Sequence, residues 1–190
     1  MYESLEILKG YSFLGEKILD DGTLLIAKAP HIAPLAWLHS IFPPLSPEDI
    51  FTLEEQLNGK IPASYKDFLL VTNGLKVFNT TLSLDGCRRN YKRDTISVWQ
   101  PFDILTPNID ERPKNAEKTM FFIGGYDCDG SLLYIDNNTN KVHLCSVDDA
   151  NSLYEWPSFD KMLESEINRL IGLFDKEGKE FRKDQNTLPI

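Results

Sequence analysis

The stretch from Ser46 to Gly86, SPEDIFTLEEQLNGKIPASYKDFLLVTNGLKVFNTTLSLDG, constrains this chain more than any other. It reads as two capped helices followed by a strand. Ser46 and Asp49 stand at capping-box spacing, and Pro47 falls at the first helical position, where its missing N–H costs nothing. Ile50, Leu53 and Leu57 form one apolar stripe, and Asn58-Gly59 supplies a left-handed stop. A second helix starts near Pro62, carries Tyr65, Phe68, Leu69 and Thr72 at helical spacing, and ends at Asn73-Gly74. From Val77 to Leu84 the residues become β-branched and alternating, which predicts a strand.

The flanking segments extend this pattern. Residues 1–45 read as an N-terminal extension packed on the core. In it, Lys17-Ile18-Leu19 and Thr23-Leu24-Leu25-Ile26 form a β-hairpin about Asp20-Asp21-Gly22. Leu35, Leu38, Ile41 and Phe42 allow a short helix opening at Pro34, with Trp37 packed on the core or the hairpin. A strand is predicted over Thr95–Trp99. Residues 101–118, interrupted by Pro107 and Pro113, read as a long connection with at most a helical turn, the best candidate for a mobile loop. Met120–Ile123, Leu132–Ile135 and Lys141–Cys145 are three strands of an antiparallel meander, separated by polar turns. A loop over Asp148–Trp156 leads to Ser158, which caps a last helix with Phe159, Met162, Leu163, Ile167, Leu170, Ile171 and Phe174 on its apolar face. Residues 176–190 read as a polar C-terminal tail, and residues 46–175 as one α+β domain.

A 42% hydrophobic and 11% aromatic composition is enough to fill a core of that size. No apolar run approaches the ~18 residues that cross a bilayer, and Glu3 and Glu6 stand where a signal peptide carries positive charge. A cytoplasmic location and no membrane partner are expected. Cys87, Cys128 and Cys145 form no CxxC pair and read as thiols of a reducing compartment.

The net charge of −9 is unevenly spread: residues 119–165 hold 8 acidic against 2 basic side chains, and residues 87–118 hold 5 against 7. Binding to nucleic acid needs a basic surface and is not expected, and the short basic run over residues 87–93 reads as a charged loop. A basic protein partner would be steered to the acidic segment. Its candidate contact residues are Asp127, Asp129, Asp136, Asp148, Asp149, Glu155 and Trp156, with Trp156 as anchor.

Motifs for chemistry are sparse. Asp127-Cys128-Asp129-Gly130 opens like a calcium loop, but its sixth residue is Leu132 and its twelfth Asn138, so it reads as a tight turn. His143 and Cys145 share one face of a strand and could form half a metal site or a nucleophile pair, without an evident third group. The chain has no G-x-S-x-G, P-loop or G-x-G-x-x-G motif. No catalytic residue, metal or cofactor is expected.

The order of these pieces is itself a signature: Ile50, Leu53 and Glu54 on a helix, Ile61-Pro62, Tyr65-Lys66 with Phe68-Leu69, Asn73-Gly74, and a strand ending at Gly86. Asp129-Gly130, Leu133 to Asp136, Lys141-Val142, and Ser158-Phe159 before a helix carrying Leu163 follow in the same order. Over residues of roughly 35 to 175 the chain resembles the SUKH superfamily, which groups bacterial immunity proteins with fungal cell-wall regulators. The resemblance implies a central antiparallel sheet flanked by helices, here with an N-terminal β-hairpin extension, and no enzymatic activity. It also implies a cytoplasmic protein-binding role, either an immunity protein that neutralises a cognate toxin domain or a regulatory scaffold. The matching Gly59, Pro62, Asn73, Gly74 and Ser158 serve backbone geometry.

Overall fold

The computed structural model describes residues 2–92, 98–182 and 186–190. Among the described residues nine strands form one antiparallel sheet in strict sequence order: β1 (Glu16–Ile18), β2 (Leu24–Lys28), β3 (Trp37–Ile41), β4 (Leu75–Val77), β5 (Leu82–Leu84), β6 (Met120–Tyr126), β7 (Leu132–Asp136), β8 (Val142–Cys145) and β9 (Tyr154–Trp156). Helices α1 (Glu3–Lys9), α2 (Pro47–Gln56), α3 (Ala63–Leu69) and α4 (Phe159–Ile171) complete the α+β fold.

Local chemistry explains the helices. The Ser46 hydroxyl accepts from the Asp49 N–H, and the Asp49 carboxylate accepts from the Ser46 N–H, closing the capping box of α2. Asn58 takes a left-handed φ of 47° just past its end. Ser158 caps α4 by accepting from the Lys161 N–H. One face of the sheet and the inner faces of the helices share the main core. Tyr65, Phe68 and Phe159 meet there with ring centroids 5.2–5.5 Å apart, and the Tyr2 ring stands 5.6 Å edge-on from Phe68. The Tyr65 hydroxyl is shared between the carbonyls of Asp85 at 2.5 Å and Ile123 at 2.9 Å, tying α3 to β5 and β6.

Several sequence expectations change. The hairpin of residues 16–28 forms, but β1, β2 and β3 continue the central sheet through β4. Residues 37–41 are strand rather than helix, because Leu38 and His39 are drawn into sheet pairing and burial. The single strand predicted over Val77–Leu84 is a hairpin, since Phe78, Asn79 and Thr80 all have positive φ and reverse the chain. Phe78 is held in this conformation by stacking on Phe174 at 4.0 Å and meeting His39 edge-on at 4.8 Å. Most of the strand expected over Thr95–Trp99 lies outside the described residues. The connection over 101–118 is tied down: Gly86 bridges to Asp103, the Asn108 side chain bonds both the N–H and C=O of Phe122, and a π-type turn spans Thr106–Asp110.

The loop expected at Asp148–Trp156 contains β9, and the C-terminal residues fold back. Arg169 donates to the carbonyls of Thr187 and Leu188 while pairing with the buried Glu166 at 2.6 Å, and Glu166 accepts from the Tyr126 hydroxyl. The two edge strands, β1 and β9, are three residues each, with Lys17 and Glu155 exposed.

Candidate functional site

Strand alternation sends every second side chain to the face away from the helices. There Ser40, Lys76, Ser83, Gly125, Leu132 and Cys145 stand opposite one another in a row across β3 to β8. The row ends in a small second core of Phe122, Tyr134, Cys145 and Ala150. At its middle the side chains vanish. Gly124 has φ +145°, and a Cβ there would meet the Ser83 carbonyl oxygen at 2.1 Å; one on Gly125 would meet that of Ser131 at 2.1 Å. The register of β6 against β7 shifts at this point, between Phe122 and Gly124.

This dip is lined by a groove of about 700 Å³. Tyr91, Phe102, Asp103 and Pro107 line it from the segment after β5, and Asp127, Gly130, Val147 and Asp148 from the turns after β6 and β8. Asp85, two residues beyond Ser83 on the same face, also lines it and is only 6% exposed. Burial first, and the neighbouring Asp103 second, push the Asp85 carboxyl up to about 7 against the weaker attraction of Lys76. The Lys76 ammonium sits 4.4 Å from the Phe102 ring centroid and 5.8 Å from that of Phe42, and burial lowers it to about 8. Asp103 accepts from the Tyr91 hydroxyl and from the Leu105 N–H.

The seven residues singled out from the sequence divide in four. Asp127, Asp129 and Asp148 are exposed and gather at the end of the meander beside the groove; Asp127 accepts from the Thr80 hydroxyl at 2.7 Å, and Asp129 from the Ser131 N–H at 2.9 Å. Asp149 is engaged locally with Asn115 at 2.7 Å and with Asn151. Asp136 and Glu155 lie toward the opposite end, where Asp136 braces the β7–β8 turn through Asn138 and Thr139 and Glu155 pairs with Lys141 at 2.6 Å. Trp156 is 4% exposed and packs in the main core, so it is a structural residue and offers no anchor to a partner. Sequence reasoning missed Asp85. Its signal was the alternation of Leu82 and Leu84 with Ser83 and Asp85, which marks a strand whose second face is polar.

His143 and Cys145 do lie on one face, but they do not form a reactive pair. His143 Nδ1 is 2.9 Å from the Ser152 hydroxyl, and its ring stacks on Tyr134. Cys145 is fully buried, and burial pushes its thiol up to about 12, the opposite of nucleophile activation. Asp127-Cys128-Asp129-Gly130 is the β6–β7 turn, with Gly130 at φ +74°. Among the described residues no three His, Cys, Asp or Glu side chains gather as a metal-holding group, and no helix is long and apolar enough to cross a membrane.

A search of curated proteins returns no match. The sequence-family model described as SMI1 / KNR4 family (SUKH-1) matches residues 44–165, from three residues before α2 to the middle of α4. That span holds α2, α3, the strands β4 to β9 and every groove-lining residue, and the family is generally non-enzymatic. The match covers well over half of the 190 residues; the chain belongs to the SMI1/KNR4 (SUKH-1) family.

Proposed function

We propose that this chain is a stoichiometric protein-binding domain, an immunity protein that works in the cytoplasm by occupying the surface of a basic toxin domain. On this reading residues 46–175 form the family domain, and residues 1–45 and 176–190 buttress it. Family membership supports a role in protein interaction or immunity at the level of the family. The observation that carries the reading further is the collection of Asp127, Asp129 and Asp148 at one end of the sheet, beside a groove with further carboxylates. Exposed carboxylates of one sign at a rim accelerate encounter with a basic partner and select against acidic ones. Asp136 and Glu155 lie outside this contact zone, and Trp156 is buried in the main core.

The test is co-expression with the products of the neighbouring genes, followed by affinity capture. A neighbouring toxin should be neutralised and recovered in a one-to-one complex. Asp127→Asn, Asp129→Asn and Asp148→Asn together should slow association at least tenfold at low salt. Absence of binding or protection against every neighbouring gene product overturns the immunity reading, and capture of a host protein in their place makes the domain regulatory.

A further inference from the structure

We propose that the groove receives one cationic side chain, arginine or lysine, from the protein partner, with the Asp85 carboxylate at its base as counter-ion. The proposal rests on the protein-binding reading and adds the chemistry that the groove selects.

Buried carboxylates are ordinarily paired or hydrogen-bonded, because an isolated charge in a low-dielectric site is costly. Asp85 is 6% exposed, lines the groove, and its carboxylate makes no hydrogen bond or ion pair with any described residue. Only its backbone is engaged, the N–H with Ile123 and the carbonyl with Tyr65. Among the described residues the cation acting on it is Lys76, whose ammonium lies over the Phe102 ring and outside ion-pair distance. Among the described residues, the lining around Asp85 carries Asp103, Glu111, Asp127 and Asp148 against the guanidinium of Arg88, which already donates to the Pro101 carbonyl. The described residues of the site are therefore short of positive charge where desolvation makes such charge most valuable.

Shape agrees with charge. Gly124 and Gly125 leave the floor without side chains, and about 700 Å³ admits a long, unbranched stem. Phe102 and Pro107 offer apolar wall to the methylenes while the charged head reaches Asp85. Asp127 and Asp148 would then meet other basic groups of the same partner.

The test titrates the full chain at low salt with capped peptides that present arginine, lysine or citrulline, the last matching arginine in shape without its charge. Amide signals of Ser83–Gly86 and Gly124–Gly125 are followed by NMR. At least one cationic peptide should shift them, with the citrulline peptide at least tenfold weaker; the stronger arm identifies the head group. Asp85→Asn should weaken that binding at least tenfold, and Asp136→Asn, at the other end of the meander, should leave it unchanged. Equal binding of citrulline, unchanged affinity in a folded Asp85→Asn protein, or no shift with either cation overturns the proposal. A protein partner that holds Asp85→Asn as tightly as the parent refutes the cation site and leaves the protein-binding reading intact. Groove-specific peptide binding without any protein partner does the reverse.

Discussion

Replacing Asp85 by asparagine should make the protein more stable, and increasingly so as pH rises. The Asp85 carboxyl is raised from its ordinary 3.8 to about 7, chiefly by burial. Between those values the native chain holds a proton that the unfolded chain has released. Asp85 therefore contributes a stability slope of about −1.4 kcal/mol per pH unit across that window, and its full cost is present above pH 7. His39 acts in the opposite sense. Its imidazole is buried against Tyr11 and Phe78 and held down to about 3 from 6.5. The unfolded chain thus holds the extra proton between pH 3 and 6.5, and stability rises with pH by a similar slope. The two groups mask each other from about pH 4 to 6.5.

Asp85→Asn removes one side of that balance. Urea unfolding of parent and variant from pH 5 to 7.5 should give a stability gap that widens by about 1–2.5 kcal/mol, working from the roughly three-unit elevation of Asp85. The change in the gap with pH is the quantity to read, because any offset between asparagine and a neutral aspartic acid is independent of pH. The range stops at 7.5 because Lys76, held down to about 8, titrates above it. A gap constant within about 0.5 kcal/mol over this range would refute the argument that Asp85 is a buried, poorly compensated charge. Higher stability together with weaker binding in one variant is the signature of a site kept at the expense of the fold.

Tyr65→Phe keeps the aromatic packing but leaves the Asp85 carbonyl without the hydroxyl, while the Ile123 carbonyl keeps its bond from the Asp85 N–H. A loss of about 1.5 kcal/mol, seen as a fall in Tm of ~3–6 °C by calorimetry, is expected for one buried hydrogen bond in a chain of this length. Native-state alkylation should label the exposed Cys128 and spare Cys145 until denaturant is added; equal labelling of both in the folded protein would show that the second core is open.

The elements legible in the sequence are those whose causes are local. Ser46, Pro47 and Asp49 specify the start of α2 by themselves, and the turns at Asp129-Gly130 and Asp136–Asn140 separate three strands that pair with their immediate neighbours. What escaped depends on distant partners. The reversal at Phe78–Thr80 is held by Phe174, almost a hundred residues away, and β3 exists because β2 and β4 flank it. The C-terminal residues look polar and unattached until Arg169 is seen to bind their carbonyls. Charge counting located the acidic segment. It could not separate the turn-bracing Asp136 and the buried Trp156 from Asp127 and Asp148 at the groove, nor show that a strand-end aspartate lies beneath them.

The shortness of β1 and β9 limits how another chain can engage this sheet. Each border offers only three residues of free backbone, with Lys17 on one side and Glu155, neutralised by Lys141, on the other. A guest peptide that tried to become a tenth strand would gain few main-chain bonds and would have to displace or desolvate these charges. Recognition by β-augmentation is thereby disfavoured at both borders, and the same feature discourages copies of the protein from stacking edge to edge into fibres.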